Sequence, residues 1–263
     1  LTCVATILKH SDLDDCIEII IGIVMEDIFG AAGQEKDAEG YTSKMKEVKF
    51  KKSFDTAEIV ASNVSLNQFG TIIEPIKMLL QEMISHKTQV KLDELLRRLS
   101  LGLNHNQEAS NIEILHLCYE IYMMSKENDD DDNETNGKPK VSAKEQHFLT
   151  TLDRKVKKRV DKSLYKQTMQ RLSFELLRTA ISRHDNLMSV TNLQGFIPLL
   201  EEGVKSENET VITASLKILN IIIRLPFPDQ GIFKACARRT LILIKDSPST
   251  NLDICQAALK FLA

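Results

Sequence analysis

The chain has no tryptophan, and its aromatic share is only 5%. A core built from it must therefore be aliphatic. Glycine and proline are also scarce, 10 and 6 among 263 residues, too few for the many turns of a β-sandwich or barrel. No apolar run approaches the ~20 residues of a membrane-spanning helix. The greasiest, Ile17–Val24, is interrupted by Glu18. The five cysteines (Cys3, Cys16, Cys118, Cys236 and Cys255) are odd in number and far apart, with no Cys-x-x-Cys pair. They read as small buried hydrophobes in a reducing compartment. A net charge of −3 predicts no global attraction to nucleic acid or membrane, so any such contact must be local.

Catalytic signatures are missing too. Gly30-Ala31-Ala32-Gly33 follows no strand and lacks the Gly-Lys-Ser/Thr of a phosphate-binding loop. The six histidines are scattered, without His-Glu-x-x-His. His116 and Cys118 are two apart on a helix and point to different faces, a poor metal arrangement. No serine, histidine and aspartate come with an elbow motif. Acidic pairs such as Asp14–Asp15 read as favourable charges at a helix N-terminus. The reading is a protein that is not an enzyme, with no metal site and no cofactor.

What the chain does have is helical period almost throughout. Ile17, Ile20, Ile21, Val24 and Ile28 form one stripe, with Asp12 or Asp14 as cap and Gly30 as stop. Further stripes run through Ile72, Ile76, Leu79 and Leu80, and through Leu92, Leu95, Leu96 and Leu99, the latter capped by Thr88. The last third shows the repeat. A short helix near 197–204 with Pro198 at its start is followed by a polar turn and a helix over 209–224. Another helix over 231–245, a turn and a helix from Asn251 onward come next. That gives a period of roughly 40 residues, the length class of HEAT and armadillo repeats. Ile72–Met83 with Val90–Leu101 has the same grammar, with Pro75 placed near the start of its first helix, and Leu1–His10 with Asp12–Phe29 reads as a further pair. Val211–Leu225 is apolar nearly all round, which suits a helix flanked by its partner and by both neighbouring repeats better than a four-helix bundle.

The predicted fold class is therefore all-α, a HEAT/armadillo-like α-solenoid of antiparallel helix pairs. Residues 1–124 read as helix pairs with a basic insertion at 31–52. Residues 125–142 read as an acidic disordered linker. Residues 143–263 read as a basic helix followed by further pairs. Both ends have the look of a cut from a longer protein, so flanking repeats of the same chain are expected to complete the core.

Two basic segments are the candidate sites. The insertion supplies Lys44, Lys46, Lys49, Lys51 and Lys52. If Leu152–Lys166 is helical, Lys155, Arg159, Lys162 and Lys166 fall on one stripe beside the apolar Leu152, Val156, Val160 and Leu164. A one-sided cationic helix suits phosphates of RNA or an acidic partner. A solvated helix face, or a solvated loop for the insertion, explains the same charges.

A family resemblance enters at the insertion. Asp27-Ile28-Phe29-Gly30, the run Glu35–Glu47 (EKDAEGYTSKMKE), and Lys52-Ser53-Phe54-Asp55-Thr56 with Glu58 resemble the U3 small nucleolar RNA-associated protein 20 family, also described as down-regulated in metastasis. The likeness is strongest over about Ser11–Val64. It implies a non-catalytic HEAT-repeat scaffold of the small-subunit processome, acting in pre-ribosomal RNA processing toward 18S RNA. The implied partners are pre-ribosomal RNA, U3 small nucleolar RNA and other processome proteins, with no membrane, and the implied location is the nucleolus. A transport adaptor of the importin kind, binding proteins only, is the alternative, with the helical scaffold of a giant kinase-like protein behind it. Importin-type arrays usually carry ordered tryptophans, which this chain lacks.

Overall fold

The structure, a computed structural model, describes residues 14–31, 33, 47–82, 85–110, 112–130, 162–228, 230–246 and 251–263. Every regular element among them is helical. In chain order these are α1 (Ile17–Phe29), α2 (Glu47–Asn63), α3 (Phe69–Leu80), α4 (His86–His105), α5 (Glu113–Asp130), α6 (Lys162–Arg183), the short α7 (Val190–Leu193), α8 (Ile197–Lys205), α9 (Glu209–Ile222), α10 (Gly231–Asp246) and α11 (Leu252–Leu262). Single turns of 3₁₀ helix join several of them, including Leu66–Gln68 and Gln107–Ser110.

The long helices stand in two layers, as a solenoid requires. The second members of successive pairs form an unbroken ladder: α2 packs on α4, α4 on α6, α6 on α9, and α9 on α11. The first members lie outside it, with α1 against α2 and α3, α5 against α6, α8 against α9 and α10, and α10 against α11. One continuous core, mostly aliphatic but with Phe69, Tyr122, Tyr165 and Phe174 fully buried in it, runs between the layers from Ile17 to Phe261.

α9 shows why a sequence gives this arrangement. Asn208 caps it, its side-chain oxygen accepting from the Thr210 and Val211 amides. Beyond Thr210 the sole exposed residue of the helix is Lys217, because α6, α8 and α11 cover the other sides. Two glycines allow the closest approaches. A Cβ on Gly102 of α4 would stand 2.1 Å from the Glu58 carbonyl oxygen of α2, and one on Gly203 of α8 would stand 2.2 Å from Ser215 Oγ of α9. Helix ends buried between repeats are satisfied by side chains. Asn106 Nδ2 donates to the carbonyls of Ala61 (3.0 Å) and Val64 (2.7 Å) at the end of α2.

Several local expectations change. Ser85, not Thr88, caps α4, accepting from the Thr88 amide. Asp14 does not cap α1. It accepts instead from Ser65 Oγ (2.7 Å) and the Ser65 amide (3.2 Å), tying α1 to the turn after α2. Pro75 lies inside α3 rather than at its start, since the helix begins six residues earlier at Phe69. Pro198 does sit in the first turn of α8. The segment read as an insertion at 31–52 gives way to α2 from Glu47, and α1 packs on that helix. The proposed partner of α1 over Leu1–His10 lies outside the described residues.

At the other end of the first array, α5 continues to Asp130, past the expected linker start at Ser125. The reason is burial: Ser125 is 1% exposed and donates to the Tyr122 carbonyl at 2.6 Å. Next to it, Lys126 meets Glu202 of α8 at 2.7 Å and lies 5.5 Å from the Tyr122 ring centroid. The remainder of the linker, residues 131–142, is outside the described residues.

Candidate functional site

The second-helix layer carries the organised polar chemistry. Between α2 and α4, the Arg98 guanidinium meets Glu58 at 2.8 Å, Asp55 at 3.0 Å and Glu94 at 2.9 Å. Glu94 also accepts two hydrogen bonds from Arg97, both at 2.7 Å. The side-chain hydrogen bonds from Arg97, followed by those from Arg98, hold the Glu94 carboxyl down from an ordinary 4.5 to about 2 against the opposing effect of burial. Glu58 and then Glu94 raise the Arg98 pKa in return. Between α4 and α6 the link is Asp93 to Arg171.

Further along, the links are amides. Asn208 Nδ2 donates to Gln167 Oε1 of α6 at 2.7 Å, and Asn251 Nδ2 donates to Glu209 Oε2 of α9 at 2.6 Å. Asn208 and Asn251 are both N-caps of second helices. Each therefore closes its own helix through its oxygen and grips the preceding second helix through its nitrogen. These bonds fix the register of α6, α9 and α11. A cleft of about 230 Å³ opens between the three, lined among others by Arg171, Glu175, Arg178, Thr210, Lys217 and Asp253. Arg178 and Lys217 have no ion-pair partner among the described residues.

The basic residues picked from the sequence fare differently. Lys44, Lys46, Lys155 and Arg159 lie outside the described residues. Lys49 and Lys51 are in α2, and of their side chains nothing is described. Lys52 is exposed on the same helix, Lys162 is the first residue of α6, and Lys166 is half-buried one turn later. The structure does not bring the two groups together among the residues it describes. Arg171, Arg178 and Lys217 escaped the sequence reading because none of them falls in a run of like charge. The one available signal was the 43-residue spacing of Asn208 and Asn251, which sets the repeat register. Among the described residues, no three His, Cys, Asp or Glu side chains are grouped to hold a metal ion, and no helix is long and apolar enough to cross a membrane.

Comparison with known proteins adds a family. The family model described as the U3 small nucleolar RNA-associated protein 20 domain matches residues 1–122. The chain is 46% identical to U3 small nucleolar RNA-associated protein 20 of Saccharomyces cerevisiae over 98% of its own length, and 32% identical to the protein of that name from Schizosaccharomyces pombe over 100%. In both cases it spans 10% of the relative. The resemblance seen in residues 27–58 thus extends across the whole helical array, and the chain belongs to the U3 small nucleolar RNA-associated protein 20 family.

Proposed function

We propose that the chain is a segment of a non-catalytic scaffold of the small-subunit processome, working in the nucleolus on pre-ribosomal RNA processing toward 18S RNA. Its relatives are named for association with U3 small nucleolar RNA, and the match to them along the full chain is the observation that carries the reading. A two-layered helical array suits the role, since solenoids work by presenting long surfaces to partners. The partners are pre-ribosomal RNA, U3 small nucleolar RNA and other processome proteins. The lysines at 44, 46, 49, 51 and 52 and the cations Lys155, Arg159, Lys162 and Lys166 act as phosphate contacts.

The test is crosslinking with sequencing on the full-length tagged protein in cells. Enrichment of pre-ribosomal or U3 RNA supports the reading. Its loss on changing Lys44, Lys46, Lys49, Lys51 and Lys52 to Glu assigns contact to that segment. Absence of both RNAs and of processome proteins from the purified material sinks the proposal and favours the importin-like adaptor.

A further inference from the structure

Four of the second helices share a charge pattern that no single one of them reveals. Over their C-terminal stretches α4, α6, α9 and α11 carry cations and no carboxylates, whereas α2 carries neither past Glu58. Residues 95–105 of α4 contain Arg97, Arg98 and His105, and residues 176–183 of α6 contain Arg178 and Arg183. Residues 210–224, covering α9 and the turn after it, contain Lys217 and Arg224, and residues 254–263 of α11 contain Lys260. The acids of these helices, such as Asp93, Glu175, Glu209 and Asp253, precede those stretches. Because the second helices run parallel in one layer, these halves align into a basic lane crossing the repeats, beside an acidic one.

The helix dipole favours cations at C-termini, and the first helices follow it unevenly: α3, α8 and α10 carry Lys77, Lys205 and Lys245 in their last turns, whereas α1 ends with Glu26 and Asp27 and α5 with Glu127, Asp129 and Asp130. Some of the lane's charges are spent on structure and some are not. Arg97 and Arg98 are paired with acids, and Arg183 donates to the Asn104 carbonyl at 2.6 Å. Arg178, Lys217, Arg224 and Lys260 have no ion-pair partner among the described residues. Their alignment follows from the caps. Lys217 is nine residues past Asn208 and Lys260 nine past Asn251, both N-caps, while Arg178 and Lys217 line one cleft. The hydroxyl of Thr210 lies in the same cleft.

We propose that this lane on α6, α9 and α11, centred on Arg178, Lys217 and Lys260, holds the phosphate backbone of an RNA strand running across the repeats. At the roughly 10 Å spacing of packed helices, the three positions span two inter-helix steps. The cleft that holds Arg178 and Lys217 is lined also by Glu175, Glu209 and Asp253 and by the hydroxyls of Thr210 and Thr213, with no aromatic side chain, so the contact reads charge and shape rather than base identity. This deepens the RNA-scaffold reading above and rests on it, while adding a contact apart from the lysine-rich segments.

The experiment uses purified full-length protein with a 30-nucleotide oligouridine, ultraviolet crosslinking read by mass spectrometry, and a salt titration of affinity. Wild type is compared with R178Q/K217Q/K260Q and with the charge-keeping R178K/K217R/K260R. Expected are crosslinked uridines on peptides covering 176–183, 210–224 and 254–263, reduced at least tenfold in the Gln variant and retained in the charge-keeping one. The slope of log affinity against log salt should fall by about 2 in the Gln variant. Uridine crosslinks elsewhere in the protein, with these peptides bare and the slope unchanged, overturn the lane but leave the RNA reading standing. Protein–protein crosslinks from Lys217 and Lys260 to an assembly factor in isolated particles, with no RNA on these peptides, also overturn it. No RNA bound anywhere on the protein overturns both.

Discussion

The two helix layers solve the same packing problem differently. In the second layer each helix touches the next, and side chains bridge every step: Arg98 to Glu58, Asp93 to Arg171, Asn208 to Gln167, Asn251 to Glu209. The first layer is interrupted: α1 packs on α3 and α8 on α10, but the step from α3 to α5 is more open. α3 reaches α5 mainly through the 3₁₀ turn Leu66–Gln68, and a groove lined by Gly70, Ile73, Glu113 and Glu120 lies between them. Side chains thus bridge every step of the solenoid on one side, while the other has a gap between α3 and α5. Glycines make the contrast testable. Gly102 in α4 faces the Glu58 backbone, whereas a Cβ on Gly22 in α1 would meet nothing within 4 Å. Gly102→Ala should destabilise the chain by about 2–3 kcal/mol, since backbone rather than a mobile side chain must move. Gly22→Ala should stabilise it by about 0.5–1 kcal/mol, by removing glycine from a helix interior. Urea unfolding of the 263-residue chain reads both, and equal effects of one sign would erase the distinction between layers.

A buried amide offers the next test of the same contrast. Asn106 is 4% exposed and closes two carbonyls at the end of α2. Asn106→Ala leaves the Ala61 and Val64 oxygens without that donor, a cost of about 1–3 kcal/mol. Hydrogen exchange should show the loss concentrated in α2 and α4. Uniform acceleration through α8–α11 instead would mean that the two halves of the array unfold as one.

Much of this array can be read from the sequence, and the exceptions have physical causes. α9 and α11 are legible because a polar Asn cap precedes an apolar stripe that nothing interrupts. α2 is not, because its first turns, Glu47–Lys52, are lysine-rich and look like loop. Its buried face is made of Phe54, Ala57, Val60, Ala61 and Val64, with the small Ala61 lying against Gly102 of α4. The spacing of those positions is helical, but their modest hydrophobicity hides it. The candidate surface was harder still. Runs of lysine stand out in one dimension, whereas Arg178, Lys217 and Lys260 become neighbours only through a stacking of repeats some 40 residues long.

The inter-helix ion pair is a smaller effect. Arg171 and Asp93 join α6 to α4, with side-chain exposures of 20% and 42%. A double-mutant cycle with Arg171→Met and Asp93→Asn should give a coupling of about 0.5–1 kcal/mol, reduced by solvent on the aspartate side. Coupling that persists undiminished in molar salt would argue for a packing contribution from the arginine stem rather than for charge.

The smallest expected effect concerns acid. Glu94 has its pKa lowered from 4.5 to about 2, first by hydrogen bonds from Arg97 and then by those from Arg98, so its ionised form belongs to the folded state. For a carboxyl depressed in this way, the stabilisation is complete above the unfolded value near 4.5 and is lost as pH falls toward 2. The side chain is 37% exposed, and solvent screening holds the contribution to under about 1 kcal/mol. Glu94→Gln should therefore lower the urea midpoint slightly at pH 6, and the gap to wild type should close as the pH is taken down to 2. The α8 pair Glu201–Lys205, in the first layer, serves as the control, since it spans a single helix and joins no repeats. If removing Glu201 gives the same pH-dependent gap as removing Glu94, the second layer owes nothing special to its bridging charges, and its register rests on packing and the amide bridges alone.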